Sequence, residues 1–153
     1  PAAATGSYLV DFVIALVVVG LLMVYFTAFP GIEVLWILPL SVLAVATALA
    51  VGVWLSAINV RYRDVRYAVP FLVQLWLFAS PVAYSADLVP PEWQAVYGLN
   101  PMVGVIEGFR WALLGQAAPP AGAILISVVI TAIVLVSGLT YFRRVERTFA
   151  DVI

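Results

Sequence analysis

Residues Asn59–Pro81 read NVRYRDVRYAVPFLVQLWLFASP. Three of the chain's seven basic residues, Arg61, Arg63 and Arg66, fall inside this stretch. An apolar run ends directly before it and another begins directly after it. In an oily chain, such a stretch surfaces on the basic, cytoplasmic side of a membrane. It therefore sets the topology of everything around it.

The 153 residues are 65% hydrophobic and 10% charged, with a mean hydropathy of +1.15. A soluble domain has about a quarter of its residues charged, and this composition cannot supply a water-facing surface. The predicted class is all-α: a polytopic integral membrane helical bundle whose spans are helices of about 20 residues. The net charge of −1 and arginines clustered by topology give no footprint for nucleic acid. The chain has neither Cys nor His, which removes disulfides, thiol chemistry and the commonest metal ligand. It opens on PAAATGSYLVDF, with no Met and no basic leader, and reads as a fragment lacking an N-terminal part.

Four crossing helices are expected, over residues 8–29, 34–58, 67–87 and 121–142. Asp11 suits the start of the first, and Pro30-Gly31 breaks it before a wet turn at Glu33. The second is thinned by Ala44, Ala46, Ala48, Ala50 and Gly52, so a neighbour can approach closely. Alanine's helix propensity accounts for the same composition. Pro39 lies in the first turns of that span and Pro70 in the first turn of the third.

Residues 88–120 are too long for a tight connection and too apolar for a solvated loop. Pro91, Glu92 and Gly98 mark one short helix; Asn100 as N-cap, Pro101 and Gly115 mark a second. The second is about 20 Å long against a hydrocarbon core of about 30 Å, so it cannot cross. A re-entrant hairpin on the outer face is predicted, with Glu107 and Arg110 close enough to pair. Arg143, Arg144 and Arg147 follow the last span and mark the same side as the first cluster. The tail at 143–153 is then cytoplasmic.

No acid couple, phosphate loop, nucleophile elbow or metal spacing is present. No ionisable residue sits near a span centre, which argues against an ion-driven carrier. The 59–66 loop reads as a positive-inside anchor or, with Asp64 and the tyrosines interrupting the charge, as an element that docks a partner. On the third span, Trp76, Ser80 and Tyr84 recur every fourth residue, with Gln74 and Phe78 on the other face. Either face could line a pathway. Tyr84, Trp93 and Trp111 also fit an interfacial belt.

Four motifs then share one likeness: NVRYRDVRY, PFLVQLWLFASPV, LNPMVGVIEGFRWALLG and FRRVERTFADVI. In that order, across the chain, they resemble the permease subunit of ABC-type polysaccharide exporters, which move O-antigen, capsule and teichoic acid. The resemblance implies about six spans in a full chain, two of them before Tyr8. It implies a bacterial inner membrane location and a homodimeric channel. Two separate ABC ATPase subunits would carry the ATP and Mg, leaving no cofactor on this chain, and the cargo would be a lipid-linked glycan. Carried over by position, Arg61, Tyr62, Arg63, Asp64 and Arg66 touch the ATPase. Gln74, Trp76, Phe78, Ser80 and Tyr84 line the pathway. Asn100, Pro101, Glu107 and Arg110 close the outer mouth. If so, charge-swapping Glu107 and Arg110 should partly rescue either single change. A same-fold exporter of a drug or small lipid is one alternative. Another is a membrane enzyme acting on polyprenyl-linked glycans through Glu107 or Asp64.

Overall fold

The computed structural model describes residues 2–26, 31–62, 64–115 and 121–150, with side chains placed for 10–26, 31–60, 62, 64–115 and 121–144. Every regular element among them is helical. In chain order they are α1 (Ala2–Tyr25), a 3-10 turn (Ile32–Trp36), α2 (Ile37–Arg61), α3 (Val65–Phe78), a 3-10 turn (Ala86–Leu88), α4 (Pro91–Gly98), α5 (Pro101–Leu114) and α6 (Ala121–Ala150).

Two stretches are long and apolar enough to cross a bilayer, Ile32–Val60 and Ala121–Arg144, while Val10–Tyr25 and Val65–Phe78 are shorter apolar helices. Several boundaries differ from the sequence reading. The first helix starts earlier and ends by Tyr25; the predicted end of that span, at 27–29, lies outside the described residues. Helix α3 stops at Phe78 rather than Asp87. Pro81 accounts for this: it has no N–H to continue the ladder, and a proline disfavours the α region at the residue before it. At 14 residues, α3 is about 21 Å long. Because it begins at Val65, Pro70 sits inside the helix and removes the bond to the Arg66 carbonyl. Residues 59–66 are mostly helix rather than loop, since α2 runs through Arg61 and α3 resumes at Val65. Helix α6 continues past the predicted tail start to Ala150; 151–153 lie outside the described residues.

The core is the seam between α2 and α6. On α2 it uses Thr47, Ala50 and Ala57; on α6, Ser127 and Thr131, all buried. These spacings place each set on one helical face. Small residues let the two backbones approach, and hydroxyls bond across where lipid offers no partner. Thr47 Oγ1 and Thr131 Oγ1 are 2.8 Å apart. Further along, Trp54 Nε1 donates to Ser137 Oγ at 3.0 Å. The Trp54 ring stacks on Tyr141, with centroids 5.2 Å apart and planes at 9°. Gly138 is what admits that indole: a Cβ there would lie 2.8 Å from Trp54 Cδ1. Contacts rise together in number along both helices, so α2 and α6 run parallel. Their arginine-bearing ends therefore lie at the same end of the bundle.

Helix α5 packs at the opposite end, against the N-terminal halves of both. Gly104 presses on α6, where a Cβ would lie 2.4 Å from Ala123 O, and Gly108 presses on Leu40 of α2. The Gly104 N–H donates to Ser127 Oγ at 3.2 Å, and Trp111 meets Trp36 edge to face at 6.0 Å. Helix α1 touches this body through Phe12 and Phe109, 6.4 Å apart. It leaves Val10, Val17, Leu21 and Val24 exposed, a surface suited to lipid or another apolar helix.

Candidate functional site

The arginine end is a tight corner. Tyr62 leaves α2 in an extended conformation (φ −129°, ψ 98°), while its N–H still bonds Ile58 O at 2.8 Å. The Val65 N–H returns to Tyr62 O at 3.2 Å, and the Tyr67 N–H to Asp64 O at 3.1 Å. Asp64 is the N-cap of α3 but makes no side-chain cap bond, and its carboxylate is exposed. Arg66 donates from Nη2 to the Tyr67 hydroxyl at 2.9 Å, and its guanidinium stands 4.8 Å from that ring centre. Tyr62 and Tyr67 are exposed. Arg63 and the side chain of Arg61 lie outside the described residues. Among the described residues, the corner thus presents one acid, one cation and two phenols where the two helices turn.

The far end is a polar joint between the end of α3 and the start of α5. Asn100 is its centre. As N-cap it accepts from the Met102 N–H at 3.0 Å, and the same Oδ1 accepts from Trp76 Nε1 at 3.0 Å. Its Nδ2 donates to Ala79 O at 3.0 Å and Ser80 Oγ at 2.9 Å. Pro101, at the first helical position, is buried, and Gly115 ends α5 in the left-handed region at φ 62°.

Glu107 and Arg110 pair on one turn of α5. Each also has backbone bonds outside the pair that spacing alone does not reveal. Arg110 Nη2 donates to Pro81 O at 2.8 Å and Tyr84 O at 3.1 Å. Glu107 Oε1 accepts from the Ala86 N–H at 3.3 Å. The ion pair therefore rivets the turn after α3 onto α5. Tyr84 donates to Phe78 O at 2.9 Å, and Tyr97 of α4 donates to Tyr84 at 3.0 Å. Burial first, then the bond to Tyr84, pushes the Tyr97 hydroxyl above the usual phenol range, so it holds its proton as a donor.

Trp76, Ser80 and Tyr84 do not share a helical face, because the helix ends at Phe78. They are gathered instead by Asn100 and Tyr97. Gln74 and Phe78 remain exposed. An apolar groove of about 330 Å³ runs beside the joint, with Gln74, Trp76, Ser80, Met102 and Ile106 in its wall. The sequence reading missed Tyr97 and the Thr47, Thr131 and Ser127 hydroxyls. The signal was weak: Ser127 and Thr131 stand four apart, but they are two of four Ser and Thr residues in an uncharged span.

A helical bundle with two helices long and apolar enough to cross a membrane is the class that this structure defines. Residues 1–114 match the model of the ABC-2 type transporter family, and the chain belongs to that family of membrane transport proteins. It is 28% identical over 154 residues to the O-antigen export system permease protein RfbA of Myxococcus xanthus, covering 99% of this chain and 59% of the relative. A Klebsiella pneumoniae protein of the same name is 23% identical over 138 residues, 90% of this chain and 52% of its own length. The inner membrane transport permease YadH of Escherichia coli K12 is 37% identical over 54 residues, 35% of this chain and 21% of its own length. The chain thus spans a little over half the length of the O-antigen permeases it matches.

Proposed function

We propose that the chain is part of the membrane subunit of an ATP-driven exporter of lipid-linked polysaccharide, acting as a homodimeric channel in the bacterial inner membrane. Two separate ATPase subunits carry the nucleotide and Mg. The observation that carries this reading is the likeness to an O-antigen export permease along 99% of the chain.

In this reading the arginine end faces the cytoplasm. The corner of Arg61, Tyr62, Arg63, Asp64 and Arg66 docks the ATPase, because the exposed Asp64, Arg66 and tyrosines offer a specific polar surface. Helix α3 leads from that corner to the joint at Asn100. Gln74 and Phe78 line the pathway; Trp76, Ser80 and Tyr84 serve as its fixed edge. Asn100, Pro101, Glu107 and Arg110 hold α4 and α5 as the outer closure. In this reading the chain contributes transport surface and the ATPase subunits contribute the chemistry.

The test is co-purification and complementation with the full-length permease. The ATPase partner is expected to co-purify, and deletion of the permease is expected to trap glycan on its lipid carrier inside the cell. Normal surface glycan in the deletion strain overturns the substrate. Failure of any ATPase to co-purify overturns the class. The YadH match supports a second reading, since that name specifies no glycan: the same fold exporting a drug or small lipid. Glycan retention in the deletion strain separates the two.

A further inference from the structure

Two concavities meet at Ser56, near the arginine end of the α2–α6 seam. The first is an apolar groove of about 380 Å³ between α2 and α6, deepened by Ala48 and Gly52 and flanked by Leu49, Leu139 and Phe142. A Cβ at Gly52 would meet nothing within 4 Å, so the groove is open there. The second, of about 250 Å³, mixes Leu55 and Val69 with the polar Ser56, Asn59 and Arg66 in its wall. On α6 the groove ends at Phe142, where Arg143 and Arg144 begin.

We propose that these two adjoining concavities together bind one anionic glycerophospholipid, with an acyl chain in the groove and the phosphate at Asn59 and Arg66. Length and charge select this occupant. From Ala48 to Ser56 the groove runs about 12 Å along α2. One leaflet of a hydrocarbon core of about 30 Å is only slightly deeper. The polar pocket lies at one end only, beside exposed arginine, and basic clusters at a membrane surface attract anionic headgroups. Arg66 uses Nη2 on Tyr67, which leaves other guanidinium donors for a phosphate oxygen. The site goes beyond the export reading. It requires that α2, α3 and α6 lie in a bilayer and that Arg66 turns to a lipid phosphate instead of the ATPase, so it stands or falls apart from the cargo.

The experiment is native mass spectrometry of the full-length permease with its ATPase, released from nanodiscs holding equal dioleoylphosphatidylglycerol and dioleoylphosphatidylethanolamine. The wild type is expected to retain phosphatidylglycerol preferentially. Arg66→Gln should lower that preference about fivefold, the effect of one basic group near an anionic surface. Gly52→Leu should fill the groove and abolish retention of either lipid. Gly122→Leu, at the other end where a Cβ also meets nothing within 4 Å, should change neither. Equal retention of both lipids by the wild type overturns the headgroup site. Undiminished retention in Gly52→Leu overturns the groove. A photo-crosslinker at Gly52 that captures another permease helix instead of phosphatidylglycerol assigns the groove to protein and overturns the proposal.

Discussion

Trp76 Nε1 lies 3.0 Å from Asn100 Oδ1 and donates to it, so the end of α3 and the start of α5 share one amide. The same amide caps α5 and holds the Ala79 carbonyl and the Ser80 hydroxyl. Asn100→Ala removes all of these together. The lost cap costs about 1 kcal/mol, and the stranded half-buried partners add about 1–3 kcal/mol. A clear fall in the detergent melting temperature of the full-length permease is expected. Asn100→Asp keeps both accepting roles and loses only the donations, so it should fall between wild type and Ala. Equal melting of Ala and wild type would show that the joint contributes nothing.

Glu107 and Arg110 look from spacing like a simple pair, for which a charge swap is a fair rescue. The structure changes that expectation. Arg110 also donates to Pro81 O and Tyr84 O, and Glu107 also accepts from the Ala86 N–H. A glutamate at 110 has no donor for carbonyls, and an arginine at 107 has no acceptor for an N–H. The double Glu107→Arg/Arg110→Glu is therefore expected to be as impaired as either single change, by export and by melting. Recovery in the swap would mean that the charges matter and the backbone partners do not.

Gly104 and Gly108 test the fit of α5. At Gly104 a Cβ lies 2.4 Å from both Ala123 O and Ser127 Oγ; at Gly108 it lies 2.7 Å from Leu40 Cδ2, the end of a flexible side chain. Gly104→Ala should cost about 1–3 kcal/mol by overpacking. Gly108→Ala should cost less, because a leucine rotates more cheaply than a backbone carbonyl moves. Gly122→Ala is the neutral control. The order of melting temperatures checks the claim.

Asp64→Lys places a cation at the start of α3, opposite to what the helix dipole favours, at about 0.3–1 kcal/mol. Since Asp64 makes no cap bond, insertion and folding should survive. In the full exporter, ATP hydrolysis is expected to run on while export drops, through a misplaced charge at the docking surface. Normal export by this variant leaves the corner as an anchor alone.

The arginine spacing made the membrane setting and the pairing of the two basic ends legible. The Asn100-Pro101 start and Gly115 stop made α5 legible, because capping is local chemistry. Helix α3 was misjudged in length. Apolar composition continues to Asp87, yet Pro81 and the bonds from Asn100 and Arg110 end the helix at Phe78, and those partners lie far along the chain. The seam hydroxyls were passed over for the same reason. A threonine in an uncharged span shows its meaning only when the residue opposite is known, and Thr47 and Thr131 are 84 residues apart.

Helices α2 and α6 point the same way, and an aligned helix carries about half a positive charge at its start and half a negative charge at its finish. Side by side, the two reinforce each other like a pair of bar magnets forced to lie pole beside pole. In sequence Arg61 stands at the finish of α2 and Arg147 in the last turn of α6. Cations at such positions favour a negative helix pole, so uncharged replacements there should loosen that end of the helix pair, a mechanical penalty separate from any loss of topology.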